Sequence, residues 1–594
     1  MLLRLIFFFS IFLLSHLGSS YAAEKKGVIL IAKVKSASLK KQLDKLARNL
    51  QEQAKEYGND SQISYWQSEG KNNFAKLLRS IGYYQNNIEA ARLNENSNAI
   101  IFNIDPGPRY EISDIQITFS LNSNRNINYI DVSRIGILPG YYAIAENVVN
   151  AEKKIIKSIE EENCLLNFSV THEAKLDNET HKVSIKYIIN SGPNTHLEKV
   201  EFVGLKTIKE DYARKLVALK DGQCIKKTYI DNSRTLLQQS GHFSSTAPII
   251  PEYVKANGMV PIGFNITERK PRSVKAGVAY DTDLGLGANF GWEHRNFFGS
   301  GEQVKTGLFG NQKEQIIDLS YTKPFFKQDN QKLIVASKYE NRKTKAFLTN
   351  QAKISATLER QLTPKWTAGL GGSFLQARVT SFNLDSSTSK DNYSLGSVPL
   401  YVIHDTRNNV LNPKRGKLIE LNLEPFFFLD SASRPFVKSE ISGSTYFHTK
   451  AKFSPTIAVK AAMGTIIGSN SRQIPRTERF YVGGNNSLRG YGYQLASDID
   501  PNKRPIGGRS FLETSVELRL KATDTIGIVT FWDTGYAYLA KLPQFNGKLL
   551  QGVGLGFRYM TTFGPLRFDV GFPLKRRKFI DKSYQIYFGI GQSF

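Results

Sequence analysis

The stretch FLETSVELRL, residues 511–520, alternates from Leu512 onward between two kinds of side chain. The members on one parity are apolar or weakly polar: Leu512, Thr514, Val516, Leu518 and Leu520. The members on the other parity are polar or charged: Glu513, Ser515, Glu517 and Arg519. Because successive side chains of a β-strand point to opposite faces, this pattern predicts a strand with one apolar face and one charged face. A soluble sandwich and a transmembrane barrel both satisfy it.

The same alternation recurs in KLIELNLEPF at 417–426 and in GPLRFDVGFPL at 564–574. From Ser273 onward the segments and turns predict sixteen strands, which start near residues 273, 285, 302, 314, 331, 351, 366, 396, 417, 437, 456, 510, 525, 548, 565 and 583. An even number allows an antiparallel barrel to close with both chain ends on one side, and a closed barrel leaves no unpaired edge in lipid. We therefore predict a 16-stranded antiparallel transmembrane β-barrel over residues 269–594.

Closing the barrel brings its first and last strands together. We expect Ser273–Asp281 to pair with Tyr584–Phe594, with Phe594 on the outward face of the last strand. The expected seam residues are Val278, Phe588, Gly589, Gly591 and Phe594. The two glycines offer no side chain to pack and should weaken the seam. A weak seam can open sideways and offer strand edges to a substrate.

The chain has 594 residues and a mean hydropathy of −0.32. This low value excludes a polytopic helical membrane protein, since each spanning helix needs about 20 nearly continuous apolar residues. One apolar run exists, Leu5–Leu14, with Arg4 before it and small residues after it. It is typical of a secretory signal peptide, which we assign to residues 1–23.

The formal net charge is +26. The basic residues are spread over the chain and accompany no nucleic-acid-binding motif, so a nucleic-acid partner is not expected. Outer-membrane lipids with anionic head groups are the expected partner of this charge, including at KRRK, residues 575–578, which the strand count places at the outer surface. A solvated loop is the alternative for that segment.

Residues 24–268 combine helical periodicity with short strands, and they repeat. The segment IDPGPRYEISDIQITF at 104–119 is echoed by INSGPNTHLEKVEFVG at 189–204, with Gly107 and Gly192 lying 85 residues apart. Three α+β units result, at residues 24–107, 108–192 and 193–268.

Each unit is predicted to run strand, helix, helix, strand, strand. Gly82 and Gly241 end the second helix of the first and third units, as residues that tolerate positive φ should. The second unit has Asn163 and Cys164 at the equivalent place. Cys164 and Cys224 fall in different units; a disulfide between units stays open, and we expect free thiols.

The longest connection of the barrel runs from about Thr465 to Arg509, with RFYVGGNNSLRGYGYQ, residues 479–494, at its centre. Its tyrosines and glycines suit a loop folded back into a confined space. Arg489 lies at the tip, and inside a lumen its permanently protonated guanidinium needs acidic partners. The candidates of inward parity are Glu517, Glu513 and Asp533. Charge-assisted hydrogen bonds from Arg489 to these carboxylates would hold the loop on the inner wall. The alternative is that Arg489 is an ordinary exposed loop arginine, which would need no acidic partner.

The sequence shows no catalytic constellation, no paired metal-ligand spacing and no phosphate-binding glycine loop. Asp281, Asp283 and Asp405 are typical turn aspartates rather than metal ligands. Neither an enzyme nor a cofactor is therefore expected.

The loop motif SLRGYGY, with Leu488, Arg489, Gly490 and Tyr491, resembles the arginine-glycine-aromatic motif of the POTRA-repeat outer-membrane barrels, a superfamily that inserts or secretes other barrel proteins. FWDTG at 531–535 and Glu517 fall where that superfamily places the acidic partners of the arginine. DTRNNVLNPKRG at 405–416 and GWEHRNFFGSGE at 291–302 are also similar to its segments. With three POTRA-like units and sixteen strands, the chain is most similar to the TamA-like subunits of the translocation and assembly module.

The resemblance implies an outer-membrane assembly factor with its repeats in the periplasm, which helps to insert, fold or secrete autotransporters and other outer-membrane proteins. The partners it implies are a TamB-like periplasm-spanning subunit and unfolded outer-membrane proteins. Three alternatives differ in their repeats. A general barrel-assembly subunit would need five units of about 80 residues, which do not fit before Arg269. A two-partner secretion transporter would carry two units and a plugging helix, and a passive porin would carry none.

Overall fold

The computed structural model describes residues 29–34, 37–54, 60–93, 99–121, 123–251, 254–255, 257–382, 387–430, 433–470, 473–544, 548–562 and 564–594. The signal peptide predicted for residues 1–23 lies outside this part of the chain. Two compact units are present: one comprises residues up to 201 with 219–232 and 248–263, and the other comprises 202–218, 233–247 and 264–594. None of the described helices is long and apolar enough to cross a bilayer.

The first repeat follows the predicted order of elements. Its elements are β1 (Ile29–Lys33), α1 (Ala37–Ala54), α2 (Asp60–Ser80), β2 (Asn87–Arg92) and β3 (Ala99–Asp105). The last strand is central, parallel to β1 and antiparallel to β2. Apolar residues of α1 and α2 bury against this sheet, with Phe74 and Phe102 in ring contact at 4.9 Å. Gly82 has φ 98° directly after α2, where a residue with a Cβ would be strained.

The second repeat departs from the prediction of two helices. Its elements are β4 (Glu111–Phe119), a one-turn 3₁₀ helix (Val132–Arg134), α3 (Ala145–Glu162), β5 (Phe168–Asp177) and β6 (Lys182–Ser191). The reason lies between β4 and α3, where Gly136 and Gly140 both adopt positive φ, at 93° and 87°, and interrupt any helical run. The sheet repeats the order of the first, with β6 between β4 and β5.

The third repeat contains β7 (His196–Val203), α4 (Glu210–Val217), α5 (Lys227–Gln239), β8 (Phe243–Ile249) and β9 (Met259–Glu268), and its sheet order is β7-β9-β8. Cys164 and Cys224 form a disulfide, so the expectation of free thiols was wrong. Backbone pairing brings the two loops together: Thr195 N–H donates to the Cys164 carbonyl at 2.7 Å, and Cys224 bridges to His196. A disulfide of this kind depends on tertiary structure, and the spacing of the two cysteines along the sequence does not predict it.

The barrel is closed and antiparallel, with its strands in sequence order. They are β10 (Arg272–Asp281), β11 (Gly285–His294), β12 (Gln303–Gly310), β13 (Glu314–Lys323), β14 (Gln331–Lys343), β15 (Phe347–Thr363), β16 (Trp366–Phe382), β17 (Thr388–Ser397), β18 (Leu400–Asp405), β19 (Gly416–Phe428), β20 (Phe436–His448), β21 (Thr456–Ile467), β22 (Ser510–Lys521), β23 (Ile526–Tyr538), β24 (Leu550–Thr561), β25 (Gly564–Pro573) and β26 (Gln585–Ile590). Both β17 and β18 pair with β16 and β19, and they are one strand interrupted at Val398 and Pro399. The prediction of sixteen strands is therefore confirmed.

The wall shows the alternation read from the sequence. On β22, Leu518 is 37% exposed on the outer surface, whereas the neighbouring Glu517 is fully buried. On β25, Phe568 and Asp569 differ in the same way. The outer face is thus an apolar band suited to lipid, and the charged side chains point into the lumen.

The turn after β11 holds part of the third repeat within the second unit. Lys209 N–H donates to the Gly299 carbonyl at 2.8 Å, and Asn296 Nδ2 donates to the Thr207 carbonyl at 3.0 Å. Gly301 lies against the ring of Tyr212, so closely that a Cβ there would overlap the ring. These bonds fix residues 207–212 against the 291–302 segment, at the end of the barrel where β10 begins.

The inward loop and the barrel seam as the candidate functional site

The connection between β21 and β22, described over residues 468–470 and 473–509, is folded into the barrel; we call it the inward loop. Leu488 and Tyr491 are fully buried, and Arg489 is 1% exposed. Leu488 and Tyr491 belong to one apolar cluster with wall residues that include Phe511 and Leu550. The loop is therefore packed as a core, with Arg489 at its tip.

Arg489 lies among three buried carboxylates. Its Nε and Nη2 donate to the two oxygens of Asp533 at 2.7 and 2.9 Å, and its backbone N–H adds a third bond to Asp533 at 3.1 Å. Nη1 donates to Glu517 at 2.8 Å and to Asp569 at 3.2 Å. The guanidinium also stacks on Phe531, 3.5 Å from the ring centroid. Bidentate, charge-assisted bonds of this kind fix both the position and the orientation of the loop tip.

The structure brings Arg489 together with Glu517 and Asp533 but not with Glu513. Glu513 accepts a hydrogen bond from Ser487 Oγ at 2.6 Å and pairs with Lys460 at 3.0 Å. It lies one inward position closer to the outer end of β22 than Ser515, so it meets the flank of the loop instead of its tip. Its expected pairing with Arg489 was wrong.

Asp569 on β25 was not among the expected partners. Asp569 lies two strands from Asp533 on β23, and the tip of the inward loop lies close enough to the wall to reach both carboxylates, a contact that the order of strands along the chain does not reveal. The available signal was that Asp569 is the one acidic residue on the inward face of GPLRFDVGFPL.

Three further arginines complete the cluster. Arg519 pairs with Glu517 at 2.7 Å, and Arg558 pairs with Asp569 at 2.5 Å. Arg567 lies 3.9 Å from Asp569. Four guanidinium groups thus face three carboxylates, and each carboxylate carries at least one cation to offset its desolvation.

Glycines make room for the loop tip. Gly490 has φ 92°, and a Cβ built there would lie 2.8 Å from the carbonyl carbon of Phe572. On the facing wall, a Cβ on Gly571 would lie 2.7 Å from the Gly490 nitrogen. Gly490 N–H donates to the Tyr587 hydroxyl at 3.1 Å. The tip is therefore seated directly on β25 and β26, which form one side of the seam.

A second arginine holds the loop further along. Arg577 Nη2 donates to the Leu495 carbonyl at 2.8 Å, and its guanidinium pairs with Asp581 at 2.8 Å. Tyr491 Oη donates to the Lys575 carbonyl at 3.0 Å. Within KRRK, Arg577 therefore binds the inward loop rather than facing lipid, a correction to the expectation for residues 575–578. The signal in the sequence was the acidic residue Asp581, three residues after KRRK, which offers Arg577 a partner within the protein.

The loop also reaches the opposite side of the seam. Tyr493 N–H donates to the Asp283 carboxylate at 2.8 Å, in the turn between β10 and β11. The same carboxylate accepts hydrogen bonds from Gln585 Nε2 and Lys582 Nζ, both at 3.1 Å, at the start of β26. Asp283 thus joins the first strand, the last strand and the loop at one end of the barrel.

The seam itself is short. Only Tyr280 and Asp281 of β10 pair with β26, opposite Phe588 and Tyr587, and Thr282 adds side-chain and backbone bonds to Ile586. Residues 272–279 pair with β11 on one side and, within the described chain, with no strand on the other.

Three expected seam residues lie elsewhere. Val278 is opposite Ala288 of β11 and does not meet β26. Gly591 lies one residue beyond the end of β26 with φ 91°, and its N–H donates to the Pro565 carbonyl of β25, so it does not meet β10. Phe594 does not face outward, because its main-chain oxygen accepts a bond from Arg519 at 2.9 Å inside the lumen. Phe588 lies in the seam, and Gly589 is on β26 opposite Arg567 of β25.

Comparison with known proteins gives distant relatives over most of the chain. "Outer membrane protein assembly factor BamA" of Nitratidesulfovibrio vulgaris is 21% identical over 534 residues, which are 86% of this chain and 66% of that protein. The protein of the same name from Neisseria meningitidis serogroup B is 21% identical over 473 residues, 70% of this chain and 59% of that protein. The chain thus spans less than two thirds of the length of these relatives.

The crystal structure of BamA from Haemophilus ducreyi lacking POTRA domains 1–3 superimposes with a TM-score of 0.66 at 18% identity, covering 80% of this chain and 99% of that one. This likeness shows the fold. The family model described as the Omp85 superfamily domain matches residues 296–594, half of the chain, and the POTRA model, described as a surface antigen variable number repeat, matches residues 195–269. The chain therefore belongs to the Omp85 superfamily, as an outer-membrane β-barrel with periplasmic POTRA repeats.

Proposed function

We propose that this protein is an assembly factor that helps to insert, fold or secrete autotransporters and other outer-membrane proteins. The observation that carries the proposal is the seam, where two residue pairs close the barrel and residues 272–279 of β10 keep a free edge. A free strand edge offers backbone N–H and C=O groups to an incoming strand, which is the chemistry of β-augmentation. A barrel built only for passive diffusion gains nothing from such an edge.

The inward loop supports this proposal. An open seam weakens the closure of a barrel, since each missing ladder bond leaves backbone groups unpaired in lipid. The buried ion cluster around Arg489 ties β22, β23 and β25 to the loop and holds their relative positions without the seam. The barrel is therefore suited to keep its shape while one pair of strands separates.

A crosslink across the seam tests the proposal. Tyr280 and Phe588 lie directly opposite each other, so a disulfide between Tyr280→Cys and Phe588→Cys locks the seam. As a matched control, Val278→Cys and Ala288→Cys lock β10 to β11, which are already paired along their full length. The assay is the insertion of an autotransporter β-domain into membranes that contain the purified chain.

We expect the seam crosslink to stop insertion until a reductant is added, and the control crosslink to leave the rate unchanged. A locked seam that still inserts substrate at the wild-type rate overturns the proposal.

Within this function, two roles differ in their partners. A TamA-like role with a TamB-like periplasm-spanning subunit is supported by three repeats and sixteen strands. A general barrel-assembly role is favoured by the relatives named BamA, which are longer than this chain. Purification of the chain from outer membranes under mild detergent separates the two: a very large periplasm-spanning partner supports the first, and co-purified partners other than such a subunit support the second.

A further inference from the structure

The connection between β25 and β26, residues 574–584, forms a compact turn at the outer end of the barrel. At its base, the backbone N–H and the guanidinium of Arg577 donate to the Asp581 carboxylate at 2.8–2.9 Å, and the Asp581 N–H donates to the Arg577 carbonyl at 3.1 Å. The same guanidinium binds the Leu495 carbonyl of the inward loop. The turn is therefore fixed to the inward loop, and Lys578 and Phe579 lie between its two ends.

Phe579 is an exposed aromatic residue on this turn. It is 74% exposed, and its φ is 63°, in the left-handed region that a residue with a Cβ occupies at a cost in free energy. Neither feature stabilises the protein by itself, because an exposed ring buries little apolar surface and the backbone is strained. A ring held outward in this way is suited to contact a molecule outside the protein.

Two lysines flank the ring. The Nζ atoms of Lys578 and Lys503 each lie 5.1 Å from the centroid of Phe579, so they are at most about 10 Å apart. Lys503 belongs to the outer part of the inward loop and also has a left-handed backbone, with φ 60°. We call Lys503, Lys578 and Phe579 the outer patch. Two like charges on one ring repel each other, and an anion between them removes that repulsion.

The cations of this region are not neutralised by the protein. Lys503, Lys575 and Lys578 are exposed, and they form no ion pair with any residue of the described chain. Asp581, the one acidic residue of the connection, is already paired with Arg577 at 2.8 Å. The charge of the outer patch therefore favours an anionic ligand from outside.

Apolar side chains join the outer patch to the lipid-facing wall. Phe572 is 44% exposed on the outward face of β25, and Leu574, 57% exposed, follows it with the same parity. Tyr584, just before β26, is 50% exposed and lies 6.5 Å from Phe572 between ring centroids. An acyl chain can pack on these side chains while its head group reaches the lysines, whereas a soluble anion has no apolar surface to bury here.

We propose that the outer patch binds a phosphate-bearing lipid of the outer leaflet, with a phosphate between Lys503 and Lys578 and acyl chains along Leu574 and Phe572. A phosphate monoester suits the two ammonium groups because it carries close to two negative charges. The inference is independent of the proposed function, since it concerns how the last strands of the barrel contact the membrane. It also assigns a lipid contact to a defined part of KRRK, because Arg577 is engaged inside the protein.

The test is native mass spectrometry of the purified full chain in detergent, titrated with lipid A, a glycolipid that bears phosphate monoesters. The comparison ligand is the same lipid after removal of its phosphates, which keeps the sugars and the acyl chains. We expect the phosphorylated lipid to bind about tenfold tighter, since each lysine near a lipid phosphate contributes to binding. Raising the salt concentration should reduce this preference.

A charge-neutral double variant locates the site. Lys503→Gln together with Lys578→Gln removes both ammonium groups from the ring and should weaken binding of the phosphorylated lipid about tenfold. The matched control is Lys345→Gln together with Lys541→Gln, which makes the same change of charge at exposed residues of other outer connections. The control should leave binding unchanged within about twofold.

Phe579→Gly separates a ligand contact from a structural role. Glycine adopts φ 63° without strain, so the melting temperature should stay the same or rise. Binding of the phosphorylated lipid should nevertheless fall severalfold, because the ring is lost. A lower melting temperature with unchanged binding would mean that the ring serves the fold instead, which overturns the inference.

Two further results would also overturn it. Equal binding of the phosphorylated and dephosphorylated lipids, or equal losses in the two double variants, would show that no phosphate is recognised at the outer patch. Inorganic tripolyphosphate is the soluble competitor: if it displaces lipid A at an equal concentration of phosphate, the patch takes soluble anions and the assignment to a lipid is wrong.

Discussion

Replacing Arg489 with methionine should release the inward loop from the wall while leaving the barrel closed. Methionine keeps much of the volume and the apolar stem but removes the guanidinium. Asp533 is the carboxylate most affected, because within the described chain Arg489 is its one cationic partner. Glu517 and Asp569 keep Arg519 and Arg558.

The magnitude follows from that difference. Removing one partner of a buried ion pair costs about 3–5 kcal/mol, because the remaining charge is left desolvated and uncompensated. Asp533→Asn in the Arg489→Met background removes that charge and should recover a large part of the loss. The single variant should thus be worse than the double variant, the signature of coupling between neighbouring groups.

Hydrogen exchange followed by mass spectrometry measures the effect on peptides that cover residues 480–497 in the detergent-solubilised chain. A loss of 3–5 kcal/mol raises the local opening constant by roughly two to three and a half orders of magnitude, so these amides should exchange correspondingly faster. Glu513→Gln is the matched control, because it also removes a wall carboxylate that is bonded to the loop. Its partners Ser487 and Lys460 lie at the more exposed flank of the loop, so the change should reduce the stability of the loop by only about 1 kcal/mol. Wild-type exchange in Arg489→Met, or no recovery in the double variant, would refute the role assigned to the ion cluster.

Three further outcomes are expected. Replacing Cys164 and Cys224 by serine should lower the free energy of unfolding of the repeats by about 2–4 kcal/mol, since the bridge closes a 60-residue loop, and urea titration of the wild type with and without reductant should show the same loss. Burial lowers the pKa of His242 to about 4, so the unfolded chain binds more protons than the folded chain between pH 6.5 and 4, and the free energy of unfolding falls by about 1.4 kcal/mol for each pH unit of acidification in that range. Hydrogen exchange at the imidazole C–H of His242, measured by mass spectrometry, should titrate with a midpoint near pH 4. A midpoint near 6.5 would contradict the burial. Gly490→Ala should accelerate amide exchange in the loop because of its φ of 92° and the clash with Phe572, whereas an alanine at Gly140, which has open space around it, should not affect the loop.

The strands could be predicted from the sequence because their signal is local. Alternation on β22, for example, separates Leu518 from Glu517 through a period of two that each strand repeats whatever its neighbours are. The same locality explains the correct expectation for Gly82 and Gly241, whose positive φ ends a helix. Strand positions are easier to predict in this barrel than in most folds, because each strand pairs with the strands before and after it in the chain.

The features that could not be predicted depend on contacts between distant parts of the chain. Asp569 meets Arg489 across 80 residues, and Cys164 meets Cys224 through backbone pairing at Thr195. The register of the seam was wrong because strand alternation fixes which face a residue occupies but not how far two strands slide along each other. Phe594 has the sequence parity of an outward-facing residue, but it does not face outward because Gly591 turns the chain before it.

The loop and the seam together decide where the barrel can open. Tyr280 and Asp281 are at the outer end of β10, and there Asp283 also joins Tyr493 of the loop to Gln585 of the last strand. Opening the outer end must therefore break ladder bonds and the bonds of Asp283 together. The periplasmic end has no such brace, because residues 272–279 have no partner on β26. For the opening proposed above, these contacts favour a separation that starts from the periplasmic end and hinges at the outer end.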